Sequence, residues 1–139
     1  IARDWRSRAA FYLTVFGFDE VPPERDYHGP ALEAGTGVPG STLRGVHLRL
    51  PGHGPDGPTL EIYTYSRLAE GTRPAVNRPG LAHLAFQVAS VEEARGEVLA
   101  GGGSAVGEVV ALTTAAGARV TWCYVTDPEG NILELQAWG

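Results

Sequence analysis

The apolar positions of the chain recur with two periods, and the switches between them mark out short elements. Trp5, Ala9, Tyr12 and Phe16 fall at i, i+4, i+7 and i+11, the stripe of an amphipathic helix. Asp4 precedes the run as an N-cap and Gly17 follows it as a C′ residue, so the pattern predicts a helix over Trp5–Phe16. Residues 42–50 alternate instead. Val46, Leu48 and Leu50 share one face and His47 and Arg49 the other, which predicts a strand. Residues 51–58 are a Gly/Pro turn, and residues 59–65 return as a second strand of the same hairpin. Residues 19–34 fit neither period. Pro22 and Pro23 interrupt them, with room for a short strand near residues 31–33.

The second half repeats this order. Residues 81–88 read as a strand, and Ser90 caps a helix over residues 91–100 with Val91, Ala94 and Val98 at helical spacing. Gly101, Gly102 and Gly103 stop it. Strands are predicted at residues 105–112, 118–126 and 131–137, with turns at 115–117 and at Asp127-Pro128-Glu129-Gly130. The half from Leu81 therefore reads β-α-β-β-β. The half before it reads α-β-β-β, its opening strand nearly absent. Gly57-Pro58-Thr59-Leu60-Glu61-Ile62 matches Gly130-Asn131-Ile132-Leu133-Glu134-Leu135 at an offset of 73. Two copies are too few for a solenoid, so the repeat predicts two pseudo-symmetric modules of an α+β fold. The first module is expected at residues 1–66, the linker at 67–79 and the second module at 80–139, all within one domain.

Composition narrows the function. The 139 residues are 43% hydrophobic and 19% charged, which excludes a disordered chain. A net charge of −5 with no basic run opposes nucleic-acid binding. No apolar run approaches the ~20 residues of a membrane span, and no signal peptide opens the sequence. Cys123 is the single cysteine, which rules out an intramolecular disulfide and fits a reducing, cytoplasmic setting. It falls inside a predicted strand, where a thiol is expected to be inert. There is no methionine, so translation is expected to begin upstream of Ile1.

Three polar residues break apolar runs. Glu61 lies between Leu60 and Ile62, Glu134 between Leu133 and Leu135, and His83 within Leu81–Phe86. A glutamate on the open face of an antiparallel strand is ordinarily just solvated. The matched placement of the pair points further. Charges in a sheet centre are costly unless paired, protonated or bound to metal, and carboxylate with imidazole suits Zn, Mn, Fe, Ni or Co.

These pieces resemble the vicinal oxygen chelate superfamily, the glyoxalase I, bleomycin-resistance and extradiol dioxygenase group. The resemblance rests on Ala10-Phe11-Tyr12 with Phe16-Gly17-Phe18, on residues 57–62, on residues 80–86 and on the closing Asp127–Leu135 segment. It implies paired βαβββ modules whose mixed sheet curls round a divalent metal. It also implies metal ligands at Glu61, His83 and Glu134. A fourth ligand has no match in the sequence. His83 lies eight residues before Val91, and the same step back from Trp5 falls about four residues upstream of Ile1, so the fourth ligand is expected there.

The resemblance further implies bidentate binding of vicinal substrate oxygens and stabilisation of an enolate or oxyanion. A carboxylate at Glu61 resembles the isomerase and lyase branch, glyoxalase I and methylmalonyl-CoA epimerase. There Glu134 would be the base that removes a proton next to a carbonyl, with Glu61 as its counterpart. The alternatives are an extradiol-type dioxygenase and a non-catalytic, antibiotic-type binder of small molecules. Substrate-facing roles are expected for His47 and Arg49, which share a strand face, and for Tyr63 and Gln136. Tyr63, Tyr65, Gln136 and Trp138 share the parity of the glutamates. A small-molecule substrate and a homodimer complete the expectation.

Overall fold

The computed structural model describes residues 1–139. The chain forms an α+β fold of two compact units, Ile1–Gly71 and Thr72–Gly139.

The N-terminal unit begins with helix α1, Trp5–Phe16. The Asp4 side chain accepts a hydrogen bond from the Arg6 N–H at 3.0 Å. Gly17 closes the helix at φ 64°, a left-handed conformation suited to a residue without Cβ. Trp5, Ala9, Phe11 and Tyr12 are buried. Strands β1 (Asp19–Tyr27), β2 (Leu43–Arg49) and β3 (Thr59–Tyr65) form an antiparallel sheet in the order β1-β2-β3. The prolines that obscured β1 lie where its register slips, between Val21 and Arg25. An edge strand tolerates that loss of ladder donors. The short strand expected near residues 31–33 is instead part of helix α2, Pro30–Thr36. Pro30 presets φ at its first turn, Ala31, Leu32, Glu33 and Ala34 favour helix, and Gly37 ends it at φ 70°.

In front of α1 the chain already pairs with the sheet. The Ala2 N–H donates to the Tyr63 carbonyl at 2.7 Å, and Ala2 is buried. The C-terminal unit repeats this bond, from Val88 N–H to the Gln136 carbonyl at 2.9 Å. Each donor stands three residues before its helix, and the acceptors are separated by the repeat offset of 73.

The C-terminal unit contains β4 (Leu84–Gln87), α3 (Val91–Ala100), β5 (Ser104–Ala105), β6 (Val110–Thr113), β7 (Arg119–Thr126) and β8 (Ile132–Trp138). The sheet order is β4-β8-β7-β5, with β6 also on β7. It is mixed, because β4 runs parallel to β8 and the other pairs are antiparallel. The opening strand is shorter than predicted. It starts at Leu84, and Leu81 is 91% exposed. Its partner accounts for this. Leu84 pairs with Leu133, next to the first residue of β8, so residues further upstream have no ladder to join.

The strand expected at residues 105–112 is split into β5 and β6. Ala105 pairs with Val125 and Val110 with Trp122, so β7 advances by fewer residues than the strand beside it. The surplus loops out at Gly107, where the Val106 and Gly107 N–H groups both donate to the Tyr124 carbonyl.

Val91, Ala94 and Val98 of α3 bury against the sheet together with Cys123, Val125, Leu133 and Leu135. Full burial of one such Leu or Val contributes about 1.5–3 kcal/mol. A slip of one residue would drive Glu134 into that layer, so the apolar face fixes the register of β8. The turn before β8 is built on Asp127, 1% exposed. Its Oδ1 accepts from the N–H groups of Glu129 and Asn131 at 2.9 and 3.0 Å, and Oδ2 from Asn131 Nδ2 at 2.8 Å. No helix is long and apolar enough to cross a membrane.

Candidate functional site

In β8, Leu133 and Leu135 point into the core, so alternation sends Glu134, Gln136 and Trp138 to the opposite face. The same alternation in β7 brings Val120, Trp122 and Tyr124 beside them. These six residues and Leu112 of β6 line a concave pocket of about 270 Å³. Tyr124 stands directly across from Glu134, and Trp122 across from Gln136. The rings of Trp122 and Tyr124 meet edge to face at 5.1 Å.

His83 lies one residue before β4, and its Nε2 is 2.9 Å from Glu134 Oε2. The side chains are 29% and 19% exposed, so both remain reachable. The His83 ring also lies 5.0 Å from that of Tyr124. Burial, and then the Glu134 charge, push the Tyr124 phenol above its ordinary pKa, which keeps it protonated and able to donate. The Trp122 indole N–H is buried with no hydrogen-bond acceptor.

The N-terminal unit presents a related group. The β2–β3 register sets His47 opposite Glu61 and Gly45 opposite Tyr63. His47 Nε2 lies 2.7 Å from the Tyr63 hydroxyl and 3.4 Å from Glu61 Oε1. Gly45 makes this possible. A Cβ there would meet the Ile62 carbonyl and lie 2.5 Å from Tyr63 Cδ1, so only glycine lets the ring settle over the strand. Burial raises the Tyr63 pKa to about 12, helped by Glu61 and Tyr27 and opposed by Arg25.

Of the residues singled out from sequence, the structure brings His83 to Glu134 in one unit, and His47 and Tyr63 to Glu61 in the other. Gln136 and Trp138 line the same pocket as Glu134. Arg49 follows His47 on the same face, its Nε buried without a partner, and does not join the His47 group. Tyr65 pairs with Leu43 at the end of β3. Cys123 faces the core, 1% exposed, and burial raises its thiol pKa. Sequence reasoning passed over Trp122 and Tyr124. Their shared parity, opposite to that of Cys123 and Val125, groups them on one face of β7 but does not tell which face lines the pocket.

Neither unit by itself gathers three His, Cys, Asp or Glu side chains as a metal-holding group. The His83–Glu134 pair nonetheless fits a divalent ion. Its donors are an imidazole nitrogen and a carboxylate oxygen. In this structure the two are in direct hydrogen-bonding contact at 2.9 Å, a contact that an ion would replace.

A family model described as a glyoxalase-like domain matches residues 2–135. Among solved structures, a glyoxalase family protein from Bacillus cereus is similar with a TM-score of 0.82 at 18% identity, covering 99% of this chain and 88% of that one. A glyoxylase/bleomycin resistance protein/dioxygenase domain from Frankia sp. EAN1pec is similar with a TM-score of 0.56 at 18% identity, covering 99% and 91%. A glyoxalase family protein from Enterococcus faecalis gives 0.55 at 24% identity, covering 96% and 88%. At these identities the likeness to the solved structures establishes the fold. No curated protein matches the chain.

Proposed function

Because the chain belongs to the glyoxalase-like domain family, we propose that it is an isomerase or lyase that removes a proton next to the carbonyl of a small substrate with vicinal oxygens. The observation that supports this reading most is the His83–Glu134 pair at the edge of the pocket. A divalent ion held there would supply Lewis-acid polarisation of the substrate oxygens.

The chain's own residues supply the rest. Glu134 presents a reachable carboxylate as the base, and His83 Nε2 beside it is the nitrogen that would hold the ion. Tyr124, kept protonated, is a donor for the oxygen on which charge develops. Trp122 and Trp138 wall the substrate, and Gln136 offers an amide to its polar end. Glu61 is the counterpart of Glu134 in the repeat, and His47 and Tyr63 hold it from the side. A homodimer in the cytoplasm belongs to the same proposal.

The test is exchange of solvent deuterium into hydroxyacetone and related hydroxycarbonyl compounds, followed by NMR, with and without added Ni, Co, Mn, Zn or Fe. Metal-stimulated exchange that Glu134→Gln abolishes supports the assignment. Unchanged exchange in Glu134→Gln removes Glu134 as the base. The three aromatic side chains in the lining favour a second reading, a binder that holds a flat molecule without turnover. Binding without exchange would select it.

A further inference from the structure

We propose, on the reading that His83 and Glu134 are the reacting end of the pocket, that the substrate is an uncharged aryl ketone with vicinal oxygens. Its oxygens lie at that pair and its ring points along the strands toward Leu112, Val120 and Trp138. The small substrate is thereby narrowed to one with an apolar ring and no charged handle.

The sheet beneath the pocket is built of rungs two residues apart. Ala85, Glu134 and Tyr124 form the first, across β4, β8 and β7. Gln136, Trp122 and Val110 form the second, and Trp138, Val120 and Leu112 the third. Polarity falls along the strands, from carboxylate and phenol, through amide and indole, to three apolar side chains. The third rung lies four residues beyond Glu134 on β8, ~13 Å at the rise of a strand. Trp138 is 49% exposed, Val110 44% and Leu112 43%. They are apolar surface that the core of this unit does not take up.

Charge and size narrow the ligand further. Glu134 is the one charged residue in the lining, and none of the arginines of the C-terminal unit is part of it. Arg119 shares the parity of Cys123 and Val125, so it leaves β7 on the opposite face. Arg95 belongs to α3, which packs on that opposite face beside Cys123. Arg78 is bonded to Thr72 and to the Arg73 carbonyl in the segment before β4. An anionic handle would therefore leave water with no cation to receive it. A neutral ring gains by leaving water for the third rung, in proportion to the apolar area it buries. The pocket volume of about 270 Å³ lies below the ~300 Å³ at which drug-sized sites begin. That is room for a ring with its oxygens and not for a peptide or nucleotide conjugate.

The experiment titrates the nitrogen-15-labelled full chain with hydroxyacetone and with 2-hydroxyacetophenone. NMR follows the indole N–H signals of Trp5, Trp122 and Trp138, assigned by single Trp-to-Phe variants. The expected result is that 2-hydroxyacetophenone binds roughly tenfold or more tightly than hydroxyacetone. It should shift the signals of Trp122 and Trp138 and leave that of Trp5, buried in the other unit, in place. Trp138→Ala should remove most of the preference while hydroxyacetone binds as before. Leu112→Ser decides the matter if Trp138→Ala fails to fold by circular dichroism. Equal binding of the two ketones overturns the proposal, as does an unchanged preference in folded Trp138→Ala. So does a 4-carboxylate or 4-trimethylammonio derivative that binds as tightly as the neutral ketone. Indole signals that respond to dilution of the protein and to neither ketone would mean that a second copy covers the third rung, and would also overturn it. Failure of the catalytic reading is read separately. An aryl preference in the native chain without proton exchange removes the catalysis and keeps this assignment, whereas exchange with equal binding of both ketones does the reverse.

Discussion

Tyr124 stands directly across the β7–β8 ladder from Glu134, and that carboxylate helps hold its phenol protonated. Burial is the larger cause and the Glu134 charge the second. Glu134→Gln should therefore move the Tyr124 pKa down, while burial keeps it above the ordinary 10.0. Alkaline titration of phenolate absorbance, with Tyr124→Phe to assign the signal, checks this. An unchanged titration would mean that the two side chains do not interact.

Asp127 makes the turn that delivers β8. Its carboxylate is buried and accepts three hydrogen bonds across Glu129 and Asn131. Asp127→Ala should cost about 1–3 kcal/mol by removing three hydrogen bonds to partly buried donors. Urea denaturation measures it. A cost below about 1 kcal/mol would show that the turn holds without its carboxylate.

Gly45→Ala should be more damaging than an exposed glycine change, because the added carbon meets a backbone carbonyl that cannot swing away. The expected loss is about 1–3 kcal/mol, together with separation of Tyr63 from His47. Denaturation and the His47 ring resonances in NMR report the two effects. An intact His47–Tyr63 contact in Gly45→Ala would contradict the account of how the ring is seated.

Cys123 gives a pH dependence with a definite sign. Burial is the main cause of its raised pKa, so the folded state prefers the neutral thiol. That contribution is fully present below the ordinary thiol pKa of 9.0 and is lost as pH rises through the folded value. Alkylation of the folded chain should accordingly lag behind a free thiol at pH 8, and denaturant should abolish the lag. Equal rates in both states would place Cys123 at the surface.

Much of this fold is legible in the sequence because local and tertiary signals agree. For α1 and α3, cap, stripe and stop residue coincide, and the structure keeps the predicted bounds. The repeat around Glu61 and Glu134 was readable because both strands carry the same pattern of apolar neighbours. The signal fails where pairing decides. β1 carries prolines that only an edge position tolerates, β4 starts where β8 can receive it, and the break between β5 and β6 is set by their alignment on β7. Half of the site was hidden for the same reason. Glu134 and His83 stood out as polar intrusions, whereas Trp122 and Tyr124 look like core residues until the β7–β8 register sets them opposite Gln136 and Glu134.

Glu134 and His83 are proposed here as a working centre for a divalent ion and a carbonyl substrate. Calorimetric titration of metal-stripped chain with Ni, Co, Mn and Zn tests it most directly, run on the native chain and on His83→Ala and Glu134→Gln. The expected result is saturable binding by the native chain and a loss of roughly tenfold or more in each variant. No binding by the native chain, or equal binding by all three, would contradict it.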